Sequence, residues 1–147
     1  MAEPKIMRIE NAEATAMRYD RGFTHHLVGP KDDAEKVDVH INVINTDSGI
    51  GPYHFHEHAE NVYIVLDGIA EAVVAGKRYL LVKDDIAFIP PGVLHAAGSA
   101  GFGPARVIEI YAPAGRDFHI VDDPQDVVDV DRPEIAHLLP DAAKGGS

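Results

Sequence analysis

Three histidines at alternate positions, His54, His56 and His58, stand inside the stretch Gly49–Gly68, and a fourth, His95, ends the run Pro90-Pro91-Gly92-Val93-Leu94-His95. Side chains on a strand alternate faces with period two, so His54 and His56 project from one face within chelating reach of a single ion. Phe55 and Glu57 point the other way. His95 lies far enough downstream to return on a neighbouring strand and close the site. Imidazole nitrogens suit iron, manganese, nickel, zinc or copper, and affinity order alone favours copper and zinc. Because histidine binds metal as neutral imidazole, affinity is expected to fall as pH drops toward and below about 6.5. An open coordination position would make the ion a catalyst, activating dioxygen if iron, or polarising a carbonyl and acidifying bound water if zinc.

The elements that must hold these residues read as short strands. Phe23–Val28 is bounded by Gly22 and by Gly29-Pro30, and weaker alternation marks Ile6–Ile9 and Ala14–Tyr19. Val37, Val39, Ile41 and Val43 form one apolar face, expected to be core, which leaves His40 and Asn42 on a face for solvent or a partner subunit. Asp67-Gly68 is a hairpin signal between the histidine strand and Ile69–Ala75; with Lys77–Val82 beyond Gly76, a β-meander is expected. Ile86–Ile89 ends at two prolines, which cannot continue a ladder. His95–Ser99 and Ala105–Ala112 follow. The stretch 113–131 reads as a peripheral strap, and Arg132–Leu139 as one short helix before Pro140.

Composition removes several classes of function. A chain of 147 residues suits one domain, which at this size buries about 68–70% of its unfolded surface. With no cysteine there are no disulfides, thiolate nucleophiles or iron–sulfur clusters, and any metal must use nitrogen and oxygen ligands. Thirteen basic against 24 acidic residues, net −11, repel phosphate backbones, so nucleic acid is not an expected partner. No apolar run approaches the roughly 20 residues of a membrane span, and the charges within Met1–Glu10 do not suit a signal peptide; the expected location is the cytoplasm. No phosphate-binding glycine-rich loop opens a helix.

The two histidine clusters together resemble the two motifs of the cupin superfamily. Gly49 or Gly51, His54, His56 and Gly68 match the first motif; Pro90, Gly92 and His95 match the second. The resemblance covers roughly Asp38 to Ala112 within a single domain of residues 1–147. It implies an all-β fold, an antiparallel double-stranded β-helix or jelly-roll barrel, here with a short C-terminal helix. It also implies a divalent transition metal (iron, manganese, zinc or nickel) held by His54, His56 and His95. The family's glutamate leaves two choices for a further ligand. Its spacing from the closing glycine falls on Asn61, while the shorter spacing from the histidines falls on Glu60. Asn61 is in phase with Tyr63 and Val65, so Glu60 could face the same way only through a β-bulge.

Tyr63 and Glu60 are the expected catalytic side chains, Tyr63 as a hydrogen-bond donor to substrate. Glu109 is read either as a general base or partner to a ligand, or as a solvent-facing strand carboxylate. His58 is a rim residue or a proton-transfer group, and His119 is not counted as a ligand. The resemblance implies a homodimer binding a small-molecule substrate. Oxygenase chemistry is the first expectation; the alternatives are a metal-assisted lyase, isomerase or cyclase, and a non-catalytic ligand-binding barrel.

Overall fold

The computed structural model describes residues 1–144. Twelve strands run in chain order: β1 (Glu13–Ala16), β2 (Gly22–Val28), β3 (Asp38–Ile44), β4 (His54–Phe55), β5 (Glu60–Asp67), β6 (Ala70–Val74), β7 (Lys77–Leu81), β8 (Ile86–Ile89), β9 (His95–Ser99), β10 (Ala105–Ala112), β11 (His119–Ile120) and β12 (Val128–Asp129). They form two six-stranded sheets, ordered β1-β2-β3-β10-β5-β8 and β11-β4-β9-β6-β7-β12. Every pairing is antiparallel except β12 with β7, which is parallel. Among the described residues no helix is long and apolar enough to cross a membrane.

The period-two rule explains which side chains meet between the sheets. On β10 alternate residues Ala105, Val107, Glu109 and Tyr111 are buried, and on β5 the buried series is Asn61, Tyr63 and Val65. Ile44, Val65 and Val107 from the first sheet pack with Ala70, Ala72 and Leu81 from the second, forming the main core cluster. Burial of such side chains contributes about 1.5–3 kcal/mol each for the larger aliphatics, which is what holds the sheets face to face.

Several sequence expectations are corrected here. The alternation on β3 has the right period but the opposite sense. Ile44, Asn42 and His40 face the interior, paired with Ala105, Val107 and Glu109, while Val39, Ile41 and Val43 lie on the outer face, where Val39 and Val43 are partly buried and Ile41 is fully buried, as expected of it. The inner face accepts polar groups because it borders a cavity; the outer face stays apolar, with Ile86 and Phe88 exposed at its β8 edge. Asp67-Gly68 does not close a hairpin, because β5 and β6 belong to different sheets. Gly68 sits at φ +78°, and a Cβ there would lie 2.1 Å from the Pro104 carbonyl oxygen, so the crossing requires glycine.

At the amino-terminal end, Ile6–Ile9 is not a strand, and β1 stops at Ala16 before a 3-10 turn at Arg18–Asp20 in which Tyr19 has positive φ. The carboxy-terminal helix is absent. Pro133–Leu138 and Asp141–Ala143 are 3-10 turns instead. Six residues bounded by Pro133 and Pro140 are too few to repay α-helix nucleation, and 3-10 geometry is the usual form of so short a piece. The segment is fastened by Arg132, whose guanidinium donates to both oxygens of Asp85 at 2.7 and 2.9 Å and to the Leu80 carbonyl.

Candidate metal centre

The loop before β4 is pressed onto β9. The Gly51 N–H donates to the Ala97 carbonyl at 2.9 Å, Ile50 bridges to Gly98, and Arg21 donates to the Ser48 and Ala97 carbonyls. A Cβ on Gly98 would stand 2.0 Å from the Gly49 carbonyl oxygen, so the contact exists only because β9 carries glycine there. This delivers His54 directly opposite His95 across the β4–β9 pair. After β4 the chain turns, and the Asp117 carboxylate accepts from the N–H groups of Glu57 and His58. The Gly92 N–H donates to the His56 carbonyl at 2.7 Å, so the Pro-Pro-Gly turn is bolted to the first histidine cluster.

The three rings converge. Centroids lie 5.0 Å apart for His54 and His56, 4.2 Å for His54 and His95, and 5.1 Å for His56 and His95. One nitrogen from each falls within 4.8 Å of the others, and all three residues are buried. Each Nδ1–H donates to a backbone carbonyl: His54 to Pro52 at 2.8 Å, His56 to Asp117 at 2.6 Å, His95 to Val93 at 2.9 Å. That fixes every ring as the tautomer whose Nε2 carries a lone pair. The Nε2 atoms of His56 and His95 are buried with no hydrogen-bond partner, an arrangement that otherwise costs free energy. Burial, reinforced by His95, pushes His54 down to about 4. Burial likewise lowers His56 and His95. All three are therefore neutral near pH 7, the state that binds metal. The donor set fits a divalent transition metal.

Asn61 is fully buried, and both atoms of its amide lack a hydrogen-bond partner. It pairs with Tyr111 and shares the inward series with Tyr63, the tyrosines whose rings approach His56 (5.1 Å) and His95 (6.2 Å). Glu60 is exposed on the other side of β5 and outside the histidine cluster. No bulge intervenes to turn it inward, because Asn61 and Glu60 pair with Tyr111 and Ala112 in continuous register. Glu60 is thereby displaced both as a ligand and as a catalytic side chain. Tyr63 is buried and lines the cavity, with burial first and the charge of Glu109 second raising its hydroxyl well above the ordinary value. His58 is exposed.

A cavity of about 370 Å³ adjoins the cluster at His54 and is bordered also by Phe118, Tyr63, Tyr111, Glu109 and His40 among others. Glu109 is not solvent-facing. Its carboxylate accepts from the Tyr111 hydroxyl at 3.0 Å, from His40 Nε2 at 3.2 Å and from the Asn42 amide, and Asn42 is itself held by the Thr24 hydroxyl. Burial alone would raise the Glu109 carboxyl, but the bonds and charges of His40, Tyr111 and Arg116 outweigh it and keep the group below the usual carboxylate range. Phe118, stacked on His54 at 4.2 Å, comes from the strap and carried no sequence signal. The exposed group Glu57, Asp117 and His119 is explained by Asp117, which caps the turn and accepts from His119.

Residues 43–111, the stretch that carries both histidine clusters, match the model of the cupin domain, which places that stretch in the cupin superfamily. The polyketide cyclase RemF from Streptomyces resistomycificus superposes with a TM-score of 0.70 at 22% identity, covering 94% of this chain and 95% of that one. An RmlC-like cupin from Shewanella frigidimarina superposes with a TM-score of 0.65 at 19% identity, covering 77% and 94%. At these identities the likeness is one of fold. Over 55 residues the chain is 34% identical to mannose-1-phosphate guanylyltransferase RfbM from Salmonella typhimurium. That match takes in 37% of this chain and spans only 12% of the enzyme's length.

Proposed function

We propose that this protein is a metal-dependent enzyme acting on a small organic carbonyl compound, of the cyclase, isomerase or lyase kind, with the two sheets wound as a jelly-roll double-stranded β-helix. The observation that carries the reading is the donor set: three tautomer-fixed neutral imidazoles, with the neutral amide of Asn61 where a carboxylate would otherwise stand. Non-haem iron oxygenases characteristically use two histidines and a carboxylate. Without a carboxylate ligand, oxygenase chemistry, the first expectation from sequence, gives way to the second.

His54, His56 and His95 would hold the ion and Asn61 would complete or tune the set. A divalent ion among neutral donors keeps its full double charge and supplies Lewis acidity toward a carbonyl oxygen. Phe118 and Tyr111 wall the cavity, exclude water and orient a flat substrate, and Tyr63 stands ready to donate a hydrogen bond. The resemblance to a polyketide cyclase over nearly the whole chain supports the same direction.

The test is metal content by elemental analysis of untagged protein prepared without chelator, alongside His95→Ala. About one equivalent per chain in the wild type, lost in the variant, is the expected outcome. Failure to take up zinc, nickel, manganese or iron even on reconstitution would overturn the metalloenzyme reading. Turnover that persists anaerobically separates this class from an oxygenase.

A further inference from the structure

The first sheet presents a second polar set to the cavity, distinct from the three histidines. His40 on β3 and Glu109 on β10 are direct cross-strand partners, both facing inward, with exposures of 4% and 7%. An ionised carboxylate only accepts hydrogen bonds, so the 3.2 Å contact between His40 Nε2 and Glu109 Oε2 puts the ring proton on Nε2. In the neutral ring the Nδ1 atom then keeps its lone pair. Among the described residues that nitrogen has no hydrogen-bond partner, and His40 borders the cavity. Glu109, by contrast, has its oxygens engaged by three donors and is poorly placed to take a proton itself. The Tyr111 ring stacks on His40 at 5.4 Å and meets the edge of His56 at 5.1 Å, so one side chain separates the two sets.

A buried carboxylate orienting an imidazole that borders a cavity is the arrangement by which a histidine is made a directed base. Resting on the metal-dependent reading above, we propose that His40 is the proton acceptor of the reaction, that Glu109 is its positioning residue, and that the substrate is a ketone or aldehyde bearing a C–H beside its carbonyl. The Nδ1 lone pair takes the proton as the C–H bond breaks. The C–H electron pair becomes a carbon–carbon double bond, and the carbonyl π pair moves onto oxygen. The resulting imidazolium lies against the Glu109 carboxylate. Where the substrate carries a β,γ carbon–carbon double bond, returning the proton to the far carbon of the dienolate completes an isomerisation; attack of the enolate carbon on a second carbonyl closes a ring, and the imidazolium gives its proton to the new alkoxide oxygen. No oxidant is consumed.

The experiment is acylation of the full-length zinc-loaded protein with diethyl pyrocarbonate, followed by peptide mass mapping. His40 is expected to label at least as fast as the exposed His58, and Glu109→Gln to slow its labelling about tenfold, the scale of one hydrogen bond to a charged group. A His40 that labels about tenfold slower than His58, or equally fast in folded Glu109→Gln, overturns the proposal. The first comparison needs no variant. His54, His56 and His95 report separately in the same digest. They should be protected by zinc and label after chelation, and labelling despite zinc would sink the metal reading while leaving the His40 result intact.

Discussion

Zinc binding at pH 6.0 should release fewer than about 1.5 protons. A histidine with an ordinary pKa of about 6.5 is about 76% protonated at that pH, so three such ligands would release about 2.3 protons on binding a metal. Burial instead holds His54 down to about 4, where its contribution falls to about 0.01, and the same cause lowers His56 and His95. The shift of His54 corresponds to about 3 kcal/mol. Its sign also governs stability. Between pH 6.5 and about 4 the unfolded chain binds the proton that folded His54 refuses. The metal-free protein should therefore lose up to that amount as pH falls through the window, keeping it in full above pH 6.5. Calorimetric titration of zinc in two buffers of different ionisation enthalpy counts the protons directly. Release of two or more at pH 6.0 would mean the rings are hydrated in solution, and the argument from burial would fail.

Two substitutions away from the ligands should separate effects on the site from effects on the fold. Gly98→Ala places a methyl group 2.0 Å from the Gly49 carbonyl, so the loop delivering His54 must move; zinc affinity should fall roughly 10–100-fold in competition with a chelator. Arg132→Ala removes the fork between the carboxy-terminal segment and Asp85, costing about 2–3 kcal/mol in chemical denaturation while leaving zinc affinity unchanged.

The clustering of the three histidines was legible because its information is local: a period-two spacing places His54 and His56 together, and Pro90, Gly92 and His95 lie within six residues. The choice between Asn61 and Glu60 was half legible. Strand phase favoured Asn61, but only the continuous register of β5 with β10 from Val65 to Glu60 excludes a bulge there. His40 and Asn42 were assigned the wrong side for a physical reason. Apolar alternation marks the core when one face meets solvent, whereas β3 has a covered apolar outer face, with Ile41 fully buried, and a polar cavity within. Asp67-Gly68 shows the limit of turn chemistry, which reports that the chain reverses but not whether the next strand stays in the same sheet. Phe118 lies more than sixty residues from His54 on a segment without periodicity, and only the folded chain joins them.

The metal-site histidines hang from β4, the turn after it and β9, while His40, Asn42, Glu109 and Tyr111 all ride on β3 and β10 of the opposite sheet. Each half of the proposed chemistry thus rests mainly on its own scaffold, and Tyr111, against both His40 and His56, joins them across the gap. Such a division permits independent drift. Descendants of this chain can exchange the proton-handling wall and acquire a new reaction around an inherited ion, or change the ion while the wall persists.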